Sequence, residues 1–158
     1  MAKQEALFSK MICSLLAPHI YVQPIESRLT GLGIPDLYMH IPSAPQIFPI
    51  WCELKDMGDA DQLLGAKIAF EPGQYNKLLE LYRAKALAFV MVYWKEHACA
   101  IPLDCIDRVT QRIKKESHQA LHLRKIGPLK AGARIDQFSS DMVLTLSILR
   151  SRQEGTPL

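Results

Sequence analysis

The chain has 158 residues and a formal net charge of +3, and 49% of its residues are apolar. That apolar fraction is enough to build a core, and it argues against a disordered chain. The length suits a single domain over residues 1–158. The longest apolar run, residues 86–94, is too short to cross a bilayer, and the N-terminus lacks the continuous apolar stretch of a secretory signal. We therefore expect a soluble cytoplasmic protein with no membrane partner.

Periodic apolar residues predict the elements of the first third of the chain. Spacings of three and four over residues 4–17 indicate a helix that a proline ends. Residues 19–35 hold two prolines and two glycines, and we expect them to be irregular. Strands are predicted over 36–41 and 47–55, on either side of a turn at 42–46.

The middle of the chain continues with one helix and two strands. After a loop at 56–69, a helix is predicted from Pro72 to about residue 85, because proline suits a first helical turn. Residues 88–94 are the most apolar segment and predict a central strand. Residues 99–103 are expected to form an edge strand.

Basic residues collect in the last third of the chain. Residues 1–105 carry 9 Lys and Arg against 11 Asp and Glu, whereas residues 106–158 carry 10 against 5. This asymmetry is expected if one face meets phosphate groups, although a solvated basic helix would give the same count.

Two helices are predicted in this basic region. The first would run from Asp104 or Asp107, either of which suits an N-cap, to about Lys125. The second, over 138–151, would follow an irregular stretch at 126–137. The complete order of helices and strands predicts an α/β fold in which a mixed sheet is flanked by helices.

Three charged residues are expected to meet at one end of this sheet. If the two strands around the turn form a hairpin centred between Ala44 and Pro45, then Asp36 and Glu53 face each other. Lys55 is two residues beyond Glu53 and therefore leaves the same face of its strand.

Such an arrangement is typical of a divalent metal site. Two adjacent carboxylates repel, and each raises the pKa of the other until a cation relieves the conflict. Mg²⁺ accepts carboxylate and carbonyl oxygens, so Asp36, Glu53 and the Leu54 carbonyl are its predicted ligands, with Mn²⁺ as a substitute. The cation would activate a scissile phosphate and a bound water, and Lys55 would orient that water or stabilise the transition state.

The same residues carry a resemblance to a known family. A Gly-x-Pro-Asp segment ending at Asp36, Glu-Leu-Lys at 53–55, and Pro-Gly-Gln ending at Gln74 before a helix and an apolar strand resemble the PD-(D/E)xK nuclease superfamily. The context over residues 5–103 is similar to its VRR-NUC and phage junction-resolvase-like branches. The resemblance implies a restriction-endonuclease-like core at about 4–103, followed by a basic, mostly helical extension at 104–158.

The resemblance also implies roles for individual residues. Asp36 and Glu53 would bind the metal, Lys55 would be the catalytic lysine, and Gln74 would hold water, lysine or phosphate. Such nucleases often add a carboxylate from the first helix, for which Glu5 is the candidate and Glu26 its rival. A first-turn acid that complements the helix dipole is an equally good interpretation of Glu5.

The expected function is hydrolysis of DNA by a Mg²⁺-dependent endonuclease that selects branched, junction or duplex structures. A junction has two-fold symmetry, so a homodimer is expected, in the cytoplasm of a bacterial or phage-infected cell and without an organic cofactor. Sequence-independent phosphate contacts are expected from basic side chains. The candidates are Arg28, Lys114, Lys115, Arg124, Lys125, Lys130 and Arg134.

Two alternatives stay open at this point. In the first, the chain has kept a nuclease fold as an inactive DNA-binding module. In the second, it serves as a docking subunit of a replication or recombination complex through residues 104–158. The presence of Asp36, Glu53 and Lys55 together favours the enzyme.

Overall fold

One six-stranded sheet organises the chain, and helices lie on both of its faces. The computed structural model describes residues 3–25, 33–129 and 137–158. The predicted α/β fold, a mixed sheet flanked by helices, is confirmed. The elements are α1 (Lys3–Leu16), β1 (Tyr21–Pro24), β2 (Leu37–His40), β3 (Ile50–Asp56), α2 (Gln74–Arg83), β4 (Leu87–Trp94), β5 (His97–Pro102), β6 (His122–Lys125) and α3 (Phe138–Glu154).

The strands lie side by side in the order β1-β2-β3-β4-β5-β6. The β3–β4 pair is parallel, whereas the other neighbouring pairs are antiparallel. A parallel pair requires a crossover connection, and the segment holding α2 supplies it. This explains why the predicted loop and helix between 56 and 85 separate two adjacent strands. Among the residues described, no helix is long and apolar enough to span a membrane.

Each face of the sheet has its own core, and β4 contributes to both. On one face α1 and α3 cover residues such as Leu54 and Phe89, and on the other α2 covers residues such as Val90. The segments near 57–70 and 103–113 complete the second core. Because β4 is buried on both faces, it reads in the sequence as an uninterrupted apolar run.

The predicted register of the first hairpin is confirmed. Leu37 pairs with Cys52 and Tyr38 pairs with Trp51. Continued by one residue, this register places Asp36 beside Glu53. Cys52 and Leu54 are fully buried on the α1 side, so Glu53 and Lys55 project from the other face.

The helix predicted from Asp104 or Asp107 to about Lys125 is wrong. Short 3-10 turns at 103–105 and 115–119 stand in its place, and the sheet gains strand β6. Asp107 caps a local turn instead, since its Oδ1 accepts hydrogen bonds from the backbone N–H of Val109 and from Thr110. Gln111 then has a positive φ of 58°, which a helix does not allow.

The structure also corrects two predictions about strands. Residues 99–103 were expected at the sheet edge, but β5 lies between β4 and β6. Strand β1 falls within residues 19–35, which were expected to be irregular. It is only four residues long and includes a proline, which is tolerated because β1 is an edge strand.

The terminal helix is confirmed and is built into the core. Its residues Phe138, Met142, Leu146 and Leu149 are at most 6% exposed. They pack with α1 and with the sheet, and β6 is hydrogen-bonded to β5. Residues after 104 therefore complete the sheet and core that the first hundred residues begin.

We expect Leu146→Ala to lower the free energy of unfolding by about 2–5 kcal/mol, because it leaves a cavity in the core. Leu144→Ala on the same helix should change it by less than about 0.5 kcal/mol, because an exposed leucine makes few contacts. Leu146 is 0% exposed and Leu144 is 64% exposed, so the pair is matched in residue type and helix. Urea unfolding followed by circular dichroism measures both. Equal losses would show that α3 is not docked as described.

Candidate active site

Asp36 lies where the ladder between β2 and β3 ends. It is 7% exposed, and its Oδ2 accepts a hydrogen bond of 2.9 Å from the backbone N–H of Leu54. The continued register places Pro35 opposite Leu54, and proline has no N–H to donate. The Leu54 carbonyl points to the same side as its N–H and thus lacks a main-chain donor from Pro35. A carbonyl oxygen of β3 and the carboxylate of Asp36 therefore both lie at the end of the β2–β3 ladder.

Glu53 is the most deeply buried charged residue of the site. It is 1% exposed, and neither of its carboxylate oxygens receives a hydrogen bond. The nearest cationic group is the Lys55 ammonium, whose Nζ is 3.5 Å from Oε1. Burial chiefly raises the pKa of Glu53 to about 9, the neighbouring Asp36 adds to the rise, and Lys55 opposes it. Burial likewise raises the pKa of Asp36, against the hydrogen bond from Leu54.

Lys55 is held in place by Gln74, the first residue of α2. Lys55 Nζ donates a hydrogen bond of 2.7 Å to Gln74 Oε1, which also accepts one of 2.8 Å from the backbone N–H of Glu71. The ring of Phe70 lies 5.8 Å from the ammonium on another side. Lys55 and Gln74 are both buried, so the lysine has little freedom to leave the carboxylates.

Gly33 brings the segment before Asp36 against the start of α2. Its φ is +69°, and a Cβ added to it would lie 2.7 Å from the carbonyl carbon of Gly73 and 2.9 Å from the nitrogen of Gln74. Both the backbone conformation and the lack of space require glycine here. The Gly-x-Pro-Asp segment and the Gln74 segment, read separately in the sequence, are thus in direct contact.

The structure brings together five of the predicted site residues: Asp36, Glu53, Leu54, Lys55 and Gln74. It does not bring Glu5 to them. Glu5 is half-buried on α1, which packs on the opposite face of the sheet, and no hydrogen bond or ion pair joins it to Asp36, Glu53 or Lys55. Its rival Glu26 lies outside the described residues. Within the described ranges, no three His, Cys, Asp or Glu side chains gather as a metal cluster.

The four predicted DNA-binding residues that the structure describes do not form one group. Lys114 and Lys115 come directly after Ile113, a residue of the second core. The Lys115 side chain lies against Gly65, which belongs to the segment between β3 and α2. Lys125 is exposed on β6. Arg124 is also on β6 but forms an ion pair of 2.7 Å with Asp141 of α3, on the face opposite Glu53. The remaining three candidates, Arg28, Lys130 and Arg134, lie outside the described residues.

Sequence reasoning missed the aromatic residues beside the carboxylates. Trp51 lies on an apolar strand, yet it is only half-buried and belongs to neither core cluster. Its ring packs against that of Tyr38, with centroids 5.0 Å apart. The signal was available, because Tyr38 and Trp51 are two residues from Asp36 and Glu53 and must share their face.

Comparisons with known proteins leave the family open. No protein-family model matches the chain, and no curated protein matches it. Among solved structures, the chain is similar to Hjc, a Holliday junction resolvase from the archaeal hyperthermophile Archaeoglobus fulgidus. The identity is 14% and the TM-score 0.47, over 66% of this chain and 79% of Hjc. A likeness this weak assigns no activity, so function has to be argued from the site itself.

The burial of Glu53 predicts how stability depends on pH without metal. Its pKa rises from 4.5 to about 9 on folding, so between these values the folded state keeps a proton that the unfolded state releases. The free energy of unfolding should be highest below the lower value and fall as pH rises, by at most about 1.4 kcal/mol per pH unit. Urea unfolding in EDTA across this window measures the slope. Glu53→Gln should flatten it, whereas Glu80→Gln, at an exposed glutamate, should not; an unchanged slope in Glu53→Gln would contradict the assignment.

A second prediction concerns the contact between Gly33 and α2. Gly33→Ala should destabilise the fold by more than the roughly 1–2 kcal/mol that a left-handed conformation costs, because backbone atoms must also move apart. Gly127→Ala is the matched control, since its φ is +82° and nothing lies within 4 Å of an added Cβ. Urea unfolding compares the two variants, and equal losses would show that the close approach is not rigid.

Proposed function

We propose that the chain is a metal-dependent endonuclease that hydrolyses phosphodiester bonds in DNA. The observation that carries the proposal is Glu53, a buried carboxylate beside the carboxylate of Asp36, whose two oxygens accept no hydrogen bond. A buried charge in this state is costly unless a cation or a proton neutralises it. Buried carboxylate oxygens without hydrogen bonds are therefore expected at a site that binds a cation.

The donor set fits Mg²⁺, with Mn²⁺ as a substitute. Asp36 and Glu53 offer carboxylate oxygens, and the Leu54 carbonyl points to the same end of the ladder. Mg²⁺ commonly takes one or two carboxylates and fills its other positions with water and substrate phosphate, so a third acidic residue is not required. When bound, the cation would polarise the scissile phosphate and lower the pKa of an attacking water.

Lys55 supplies the positive charge that the protein itself contributes. Its ammonium is held by Gln74 next to Glu53, at the edge of the carboxylate pair. From this position it would orient the attacking water or stabilise charge that develops on the phosphate in the transition state. Gln74 is then a positioning residue, because it acts on the reaction through Lys55.

The proposed substrate is branched or junction DNA, cut by a homodimer. Exposed basic side chains such as Lys115 and Lys125 would contact phosphates without reading sequence. Two sites related by two-fold symmetry would match the two strands cut in a junction. Membership of the PD-(D/E)xK superfamily, in its VRR-NUC or junction-resolvase-like branches, is part of this proposal and is supported by the arrangement of Asp36, Glu53 and Lys55.

Cleavage of a labelled four-way junction, a splayed duplex and a linear duplex tests the proposal. With Mg²⁺ or Mn²⁺ we expect cutting, strongest on a branched substrate, and none with EDTA. Asp36→Asn, Glu53→Gln and Lys55→Met should each lower the rate by about 10²-fold or more, because each removes a group that acts on the transition state. Glu80→Gln, at an exposed position of α2, should cut normally.

A melting experiment separates loss of chemistry from loss of metal. At a hundredfold excess over its dissociation constant, Mn²⁺ should raise the melting temperature of the wild-type chain by roughly 5–10 °C. Asp36→Asn and Glu53→Gln should lose this rise, and Lys55→Met should keep it. No cutting of any substrate by a wild-type chain that binds DNA would instead favour the inactive DNA-binding or docking subunit.

A further inference from the structure

An open aromatic surface extends from the carboxylate site across three strands. We define this aromatic face as Tyr21, Tyr38, His40, Phe48 and Trp51. Its strand residues alternate with buried ones that pack toward α1, so their side chains project from the face that carries Asp36 and Glu53. Helix α2 covers β4 and part of β3 on this face, and no other helix of the described residues packs on its β1–β2 side.

Four rings of the aromatic face contact one another, and Tyr21 pairs with His40 across the β1–β2 ladder. The centroid of Tyr38 lies 5.0 Å from that of Trp51 and 6.1 Å from that of Phe48, and His40 lies 5.7 Å from Phe48. Tyr21 is 55% exposed and Phe48 is 50% exposed. Large exposed apolar side chains that cluster in this way usually mark a binding surface.

The aromatic face is continuous with the candidate active site. Tyr38 is two residues from Asp36 along β2, and Trp51 is two residues from Glu53 along β3. Two residues of extended strand span about 7 Å, and both pairs lie on the same face. A nucleotide whose phosphate lies at the carboxylates would therefore have a neighbouring base within reach of these rings.

We propose that the aromatic face stacks the bases of unpaired nucleotides next to the scissile phosphate. The proposal rests on the proposed nuclease function and narrows its substrate to DNA with a single-stranded segment at the cut. The face carries no carboxylate and no Lys or Arg, so it suits a base rather than a phosphate.

A fully paired duplex offers no unpaired base that could stack on the aromatic face. Its bases are stacked on their neighbours, whereas an unpaired base offers a free ring face to an aromatic side chain. Stacking of this kind tolerates any base, which agrees with recognition of DNA structure rather than sequence. A splayed duplex presents unpaired bases beside its branch point.

Fluorescence anisotropy in EDTA, where no cutting is expected, tests the proposal. The probes are a labelled 12-nucleotide single strand and the duplex of the same sequence. The wild-type chain should bind the single strand more tightly, and Phe48→Ala and Tyr21→Ala should each weaken that binding by about 5- to 100-fold. Binding of the duplex should not change. Leu144→Ala, at a leucine 64% exposed on α3, is the matched control and should change neither.

The outcomes separate this proposal from the nuclease. Unchanged single-strand affinity in both Phe48→Ala and Tyr21→Ala would overturn the stacking proposal, even if Mg²⁺-dependent cutting were found. Loss of single-strand affinity with no cutting by the wild-type chain would uphold stacking and overturn the nuclease. Sedimentation gives a further check, because a wild-type dimer that Phe48→Ala dissociates would assign the face to a second copy of the chain and overturn the proposal.

Discussion

The site depends on one hydrogen bond, from the backbone N–H of Leu54 to the carboxylate of Asp36. The β2–β3 ladder ends at Leu37 and Cys52, and the Asp36 side chain, rather than a main-chain carbonyl, accepts the Leu54 N–H. Pro35 has no N–H to donate to the Leu54 carbonyl, so no main-chain bond from Pro35 reaches that oxygen. This holds Asp36 beside Glu53. The close approach of Gly33 to Gly73 then sets the start of α2, from which Gln74 reaches Lys55. The residue at which β2 begins thus determines how the site residues Asp36, Glu53 and Lys55 lie relative to one another.

The hairpin could be predicted because strands have a period of two. Once the turn was located, the register followed, and with it the face shared by Asp36, Glu53 and Lys55. Helix α3 could be predicted for a similar reason, since its buried residues recur at helical spacing despite the β-branched residues among them. The segment from 104 to 125 could not, because the local bonds of Asp107 compete with a helix.

Other features depend on tertiary packing, which cannot be predicted from the spacing of apolar residues along the chain. The apolar stripe of α1 shows that it packs on the sheet but does not tell which face it covers. The resemblance made Glu5 a candidate near the carboxylates, and the sequence alone could not test that position. The apolar sequence of β3 does not reveal that Trp51 is half-buried. The exposure of Trp51 depends instead on where α2 crosses the sheet, and that is decided by the β3–β4 pairing. The alternation of residues along a strand shows which face of the sheet a side chain lies on. It does not show which element packs against that face.

The burial of Glu53 makes a proton and a metal ion competitors for the same oxygens. With a pKa of about 9, the carboxyl is neutral near pH 7, so the resting site stores a proton in place of a cation. Loading the proposed Mg²⁺ would release that proton, and the affinity for metal would rise with pH by up to about tenfold per unit. An exchange of this kind would keep the charge of the buried carboxyl low until a metal ion binds. It would link the proposed cleavage to the acidity and magnesium content of the surroundings.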